Sequence, residues 1–153
     1  MQETKCYATH SEVSPLSKYS ITRRKVGIKD VLLEIQFCGV CHTDFHYAKN
    51  DWGITRYPFV GGHEIIGVIK GLGEEVKDFN LGDRVAVGCF VNSCRNCNSC
   101  NNDFEQYCTE GLIKTYNDLI SDPGGHTFGG YSKSIVVDEH FVFSIPKNLN
   151  SAG

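Results

Sequence analysis

Long apolar runs, clustered basic charge, internal repeats and a leader-like N-terminus are all missing from this sequence of 153 residues. No apolar stretch approaches the ~18 residues that a membrane-crossing helix needs, so no membrane partner is expected. Residues 1–15 contain no basic stretch followed by an apolar one, and no secretory signal is read there. The net charge is −3, and the one basic run is ITRRK at 21–25. That balance argues against the clustered Lys and Arg footprint of a nucleic-acid binder, and the run itself is read as a solvated loop. Nothing repeats at solenoid spacing, and no low-complexity linker divides the chain. One domain with its own core is expected, in a cytoplasmic protein whose thiols are reduced.

Eight cysteines acquire a particular meaning in that setting. In a secreted chain they would suggest a disulfide frame; in a reducing compartment a tight cluster points to metal. Cys94, Cys97 and Cys100 form C-x2-C-x2-C, with Cys108 close behind. The x2 spacing lets thiolates turn inward around one ion, and zinc takes four of them at ~2.3 Å. An iron–sulfur cluster is the competing reading, but the ferredoxin pattern ends C-x3-C-P. Here the last gap is longer and Thr109 follows Cys108. Disulfides or free thiols complete the alternatives to a structural zinc.

Most of the remaining chain reads as short strands. KCYATH (5–10), DVLLEIQFCGV (30–40), EIIGVIKGLG (64–73), GDRVAVGCFV (82–91), YSKSIVVD (131–138) and FVFSIP (141–146) carry β-branched or aromatic residues with partial alternation. Gly and Asp punctuate them. HTDFHYAKN (42–50) is the expected helix, with a further helical turn inside the cysteine lobe. The pattern is mainly β, a barrel or sandwich with a metal-stapled loop, and not a βαβ array. GLGEEV (71–76) mimics part of a dinucleotide fingerprint, but Val76 stands where a small residue belongs and a turn follows. CGVC (38–41) could be a redox pair; lacking a thioredoxin-like context, Cys38 is read as a small buried residue.

Cys41 lies in GVCHTDFH and His63 in GGHEIIG. A cysteine and a histidine in separate loops suit a catalytic zinc, which takes three protein ligands and keeps one position open. Taken alone, a histidine after Gly-Gly is more often an ordinary loop histidine. In order along the chain stand CGVCHTDFH, GGHEIIGVIKGLG, GDRVAVG and CRNCNSC…C. This series resembles the zinc-dependent medium-chain alcohol dehydrogenases. HTDFHYAKNDWGITRYP and GGYSKSIVVDEHFVFSIP resemble the cinnamyl alcohol dehydrogenase branch, although Gly61-Gly62 precedes His63 where that branch usually has Pro-Gly.

The resemblance covers nearly the whole chain and implies a GroES-like β-barrel catalytic domain over 1–153, with a zinc lobe at about 90–110 and short helices. By that resemblance Cys41 and His63 are the first two catalytic zinc ligands, and Glu64 is a carboxylate able to approach the metal. Asp44 orients the ligand histidine. Thr43 hydrogen-bonds the substrate oxygen, and His46 and Asp51 continue a proton relay, a task that suits histidine near neutral pH. His42 faces the cofactor pyrophosphate, with Thr43 nearby. The implied activity is hydride transfer between a primary alcohol, aromatic or allylic, and NADP or NAD. The family's third catalytic ligand and its dinucleotide-binding domain are not found in this sequence, so the chain alone is expected to be inactive. The whole enzyme is expected to be a homodimer or homotetramer. A non-catalytic, zinc-stapled GroES-like binding module is the alternative. His10, His126 and His140 fit no motif and are read as surface or packing residues.

Overall fold

The computed structural model describes residues 1–150. The chain opens with an antiparallel hairpin of β1 (Gln2–Ala8) and β2 (Ser17–Arg23), in register from Gln2↔Arg23 to Ala8↔Ser17. Alternation buries Thr4, Cys6 and Ala8 on β1, and Ile21 and Arg23 on β2. The remaining strands are β3 (Asp30–Cys38), β4 (Ile65–Leu72), β5 (Arg84–Val87), β6 (Phe90–Asn92), β7 (Ile113–Lys114), β8 (Ser134–Asp138) and β9 (Val142–Ser144). One helix, α1 (His42–Ala48), follows β3. Five strands form the main sheet in the order β8-β3-β4-β5-β9, with every neighbouring pair antiparallel. Two register shifts in β3, at Leu32/Leu33 and Ile35/Phe37, bend that strand as bulges do. Val31, Leu33, Ile65, Ile69, Val85, Val87, Ile135 and Val137 meet on its inner face with Phe79, Phe141 and Val142. The architecture is mainly β, as expected. Among the described residues no helix is long and apolar enough to cross a membrane.

Two expectations need correction. GDRVAVGCFV is not one strand. β5 ends at Val87, and at Gly88-Cys89 the backbone changes partners. Thr115 donates its N–H to Cys89 O at 3.0 Å and its hydroxyl to Gly88 O at 2.5 Å. β6 then pairs with β7, which makes the neck of the cysteine lobe. Nor is ITRRK a solvated loop, because Ile21–Arg23 belongs to β2 and Arg23 is buried. Arg23 Nε donates to Ser134 O at 3.0 Å, and Nη1 donates to Phe128 O at 2.7 Å. Nη2 donates to Gly129 O at 2.9 Å and to Ser132 Oγ at 2.8 Å. Burial pushes its pKa down to about 10, which leaves it charged at neutral pH. A guanidinium can be buried here because its planar fork meets several acceptors at once. The GLGEEV segment, by contrast, runs as expected: a turn pinned by Gly73 N–H to Asp30 O (2.8 Å) leads toward β5 without a helix.

The cysteine lobe is fastened to the sheet by three side-chain contacts. Arg95 Nη1 donates to Asp138 Oδ2 at 2.6 Å, and its guanidinium lies 5.3 Å from the Phe141 ring centroid. His140 Nε2 and Glu105 Oε1 are 2.5 Å apart. Within the lobe the expected helical turn takes the form of two 3-10 turns, Cys100–Asn102 and Glu105–Tyr107.

Arg23 is the most heavily bonded buried charge of the hairpin. Arg23→Lys keeps the charge but not the fork, and it leaves backbone carbonyls of 128–134 without donors. It should lower the unfolding free energy by about 2–4 kcal/mol. Urea denaturation checks this, and an unchanged midpoint and slope would contradict it.

Candidate active site and metal centres

Cys94, Cys97, Cys100 and Cys108 converge, with all four sulfurs within 4.8 Å of one another. Cys94 and Cys100 Sγ are 3.8 Å apart, and Cys97 and Cys100 Sγ are 3.5 Å apart. A zinc tetrahedron with ~2.3 Å bonds has edges of about 3.8 Å, so the cage fits one such ion. It is too small to enclose a multi-iron cluster, and its sulfurs are too far apart for disulfides at ~2.05 Å. Backbone amides turn toward the sulfurs: Cys97 N–H approaches Cys94 Sγ at 3.3 Å, and Cys94 N–H approaches Cys108 Sγ at 3.4 Å. The N–H groups of Cys100 and Thr109 hold the Cys97 thiol down, to about 5, and that of Cys94 holds Cys108 low. Although its Ser93 contact lowers it, burial and the contacts with Cys97 and Cys108 push the Cys100 thiol up to about 11, so the cage shares its protons unevenly. Four cysteine sulfurs at this spacing are nonetheless the donor set of a structural zinc, whose binding would release the remaining protons.

Cys41, His63 and Glu64 form a second group, again with ligand atoms within 4.8 Å of one another. Cys41 immediately precedes α1, and His63 and Glu64 immediately precede β4. Each ligand therefore sits at the end of a regular element. Thiolate, imidazole and carboxylate are the ligand types that zinc takes. Glu64 is exposed, whereas Cys41 and His63 are half-buried, so the group opens toward solvent on one side. The His63 ring stacks on Tyr116, with centroids 5.3 Å apart and planes 13° from parallel. Tyr116 is buried in an aromatic cluster with Tyr47 and Phe59.

Asp44 ties the two ligand segments together. Its Oδ2 accepts from Cys41 N–H at 2.9 Å, and its Oδ1 accepts from Gly62 N–H at 2.7 Å. It thus reaches His63 through the preceding backbone rather than through the imidazole. Gly62 has φ +95°, and a Cβ there would lie 2.7 Å from Cys38 Sγ and 2.9 Å from Tyr131 N, so only glycine fits. Cys38 is only half-buried, packed against the edge of the core rather than inside it, and its thiol is pushed up to about 11 by that burial.

Thr43 Oγ1 lies 3.4 Å from Cys41 Sγ. His46 Nδ1 pairs with Asp51 Oδ2 at 2.7 Å, and both side chains are more than two-fifths exposed, at 41% and 46%. His42 is exposed on the same helix, its ring centroid 6.4 Å from that of His46. Cys41, His42, Thr43, Asp44 and His46 thus lie at or on α1, and Asp44 ties that helix to the loop that carries His63 and Glu64. Sequence reasoning gave no role to Tyr131 or Tyr116. Tyr131 donates its hydroxyl to Asp44 Oδ2 at 2.9 Å, and burial followed by that contact pushes its acidity away from neutral pH. The Gly-Gly-Tyr string at 129–131 was the available signal, because paired glycines mark a close backbone approach.

The lobe has almost no apolar interior, so metal must supply its cohesion. Cys97→Ser and Cys108→Ser should each remove one tightly held zinc per chain and expose residues 90–110 to protease. Metal analysis and limited proteolysis test this, and wild-type zinc content and protection in both variants would contradict it.

Comparison with known proteins agrees with this geometry. Residues 27–147 match the family described as "Alcohol dehydrogenase GroES-like domain". NADP-dependent alcohol dehydrogenase C 1 of Mycolicibacterium smegmatis is 51% identical over 150 residues, which cover 97% of this chain and 43% of that protein. Cinnamyl alcohol dehydrogenase 2 of Rauvolfia serpentina is 47% identical over 143 residues, 94% of this chain and 39% of that protein. Among solved structures, a cinnamyl alcohol dehydrogenase of Sorghum bicolor superposes with a TM-score of 0.92 at 41% identity, covering 97% of this chain and 42% of that one. The CAD of Helicobacter pylori in complex with NADP(H) gives 0.90 at 43% identity, covering 97% and 43%. This chain spans less than half the length of these relatives. With its sheet, its cysteine lobe and most of its length matched, the chain belongs to the alcohol dehydrogenase GroES-like domain family.

Proposed function

We propose that this chain is the N-terminal catalytic domain of a zinc-dependent alcohol dehydrogenase or aldehyde reductase, acting in the cytoplasm together with a dinucleotide-binding domain. The observation that carries the reading is the convergence of Cys41, His63 and Glu64 beside Thr43 and the His46–Asp51 pair. A purely structural metal site has no use for an exposed carboxylate ligand or an adjoining proton path. The relatives named as NADP-dependent and as cinnamyl alcohol dehydrogenases support NADP as the cofactor and aromatic or allylic primary alcohols as substrates. The family resemblance further supports a homodimer or homotetramer.

Zinc, when bound, supplies Lewis acidity that lowers the pKa of a coordinated alcohol. Cys41 and His63 would hold it, with Glu64 able to join when no substrate is present. The Thr43 hydroxyl would accept a hydrogen bond from the alcohol and release its own proton as the alcohol's moves onto it. The exposed His46–Asp51 pair, on and just after the same helix, would carry a proton out to solvent. A nicotinamide cofactor, held with the help of the dinucleotide-binding domain, would supply the hydride acceptor for oxidation, the alcohol losing one hydride and one proton to become the aldehyde, and the hydride donor for the reverse reaction. His42, exposed beside this path, offers a ring N–H to the cofactor pyrophosphate.

In the protein that joins this domain to its dinucleotide-binding partner, Thr43→Ala should lower kcat by roughly 10²–10⁴-fold. It should change cofactor affinity little. Thr43→Ser keeps the hydroxyl and should be mild. Steady-state kinetics with cofactor titration test this, and equal kcat for the Ala and Ser variants would remove Thr43 from the mechanism and favour a non-catalytic module.

The 153-residue chain by itself should hold one zinc that leaves slowly to a chelator, and at most one that leaves quickly. It should not oxidise cinnamyl alcohol with NADP, since nothing positions the nicotinamide. Measurable oxidation by the isolated chain would show a cofactor site within these residues and overturn the division of labour proposed here.

A further inference from the structure

Asp44 is only 4% exposed, and a buried carboxylate stays charged only where donors surround it. Two of its donors, the N–H groups of Cys41 and Gly62, belong to the ligand-bearing segments themselves. The remaining hydrogen-bonded donor, Tyr131, comes from a segment 87 residues away in sequence; the buried Tyr116 hydroxyl also faces Asp44 but makes no hydrogen bond. That segment is not free to drift. Gly129 N–H donates to Val60 O at 2.8 Å, Gly130 N–H to Gly62 O at 2.8 Å, and Tyr131 N–H to Gly61 O at 2.9 Å. A Cβ at Gly129 would collide with the carbonyl oxygens of Gly61 and Gly62, so the two backbones approach as closely as glycine permits. On the far side, Tyr7 N–H donates to Tyr131 O at 2.8 Å, and Arg23 grips Phe128 O, Gly129 O and Ser134 O. The Tyr131 hydroxyl is thus presented from a rigid frame to the one carboxylate that spans both ligand segments.

We infer that Tyr131 is a positioning residue for the Cys41–His63 metal site, acting through Asp44. Its hydroxyl fixes the carboxylate, and the carboxylate fixes the separation of the Cys41 and Gly62–His63 backbones. Removing the hydroxyl leaves Asp44 with two donors that belong to the very segments it should hold in place. The 60–62 loop keeps its backbone bonds to 129–131, but Asp44, and through it the Cys41 segment, loses its tie to that frame, and the spacing of the two ligand segments relaxes. The inference rests on the reading of Cys41, His63 and Glu64 as a metal site.

The test uses the full chain with one zinc in the cysteine lobe and Co²⁺ as the probe of the second site. Cobalt reports Cys41 through thiolate charge transfer and reports coordination geometry through its visible bands. Wild-type chain should bind one Co²⁺ at this site. Tyr131→Phe keeps the ring and should weaken that binding about 10-fold, the lower end of what outer ligand partners contribute, with altered visible bands. Lobe zinc and the thermal midpoint should stay close to wild type. Asp44→Asn should weaken cobalt as well, and adding Tyr131→Phe to it should cost less than twofold further. Unchanged affinity and spectrum in Tyr131→Phe would overturn the inference. So would additive losses in the double variant, or loss of lobe zinc and of the folded state in Tyr131→Phe. Absence of cobalt binding in the folded wild type would instead show that Cys41, His63 and Glu64 do not hold metal in this chain, and would overturn the inference with it.

Discussion

Three backbone hydrogen bonds between residues 60–62 and 129–131 are the constraint on which the rest of this domain depends. They bring the loop that carries His63 against the segment that enters β8, and so join the metal-ligating loops to the wall of the sheet. Every later contact uses that crossing. Arg23 bonds to carbonyls on one side of it, Tyr131 reaches Asp44 through it, and Cys38 packs into it. The glycines set the distance, and the side chains read it.

The two cysteine-containing sites differ in how they obtain rigidity. The lobe has four identical ligands in one short segment and little apolar packing of its own, so its order comes from the ion and from its moorings to Asp138, Phe141 and His140. The Cys41–His63 group draws its ligands from the ends of a helix and a strand and rests on a packed aromatic cluster. Its ligands are therefore placed by packing around them, and its exposed carboxylate leaves one side open, whereas the four thiols of the lobe form a closed set.

Features with a local signature were legible in the sequence. The x2 spacing placed the lobe, the alternation in β3 and the apolar run of β4 placed the sheet, and CHTDFH placed α1 with Cys41 before it. What was hidden depends on distant partners. β2 escaped because SKYSITR carries little apolar signal and ends in basic residues, yet Arg23 is buried since its acceptors lie more than a hundred residues away. The break between β5 and β6 escaped because a change of pairing partner leaves no mark on hydrophobic periodicity; only Gly88 hinted at it. Asp44 was legible as a supporting carboxylate, but its attachment to the backbone of Gly62 and to Tyr131 was not, because a hydrogen bond across 87 positions has no spacing rule.

The separation in sequence of the contacts around Asp44 and Arg23 also governs when the active-site opening can exist. During synthesis Cys41 and His63 emerge long before Tyr131, and until the segment that enters β8 arrives, the carboxylate between them lacks its external donor and the hairpin lacks the carbonyls that Arg23 requires. Loop closure of this kind is slow relative to local structure. The cysteine lobe, whose ligands lie within 15 residues of chain, Cys94 to Cys108, faces no such delay. The four cysteines of the lobe are therefore all available early in synthesis, whereas the Cys41–His63 group gains its full set of supporting contacts only once the segment around Tyr131 has emerged.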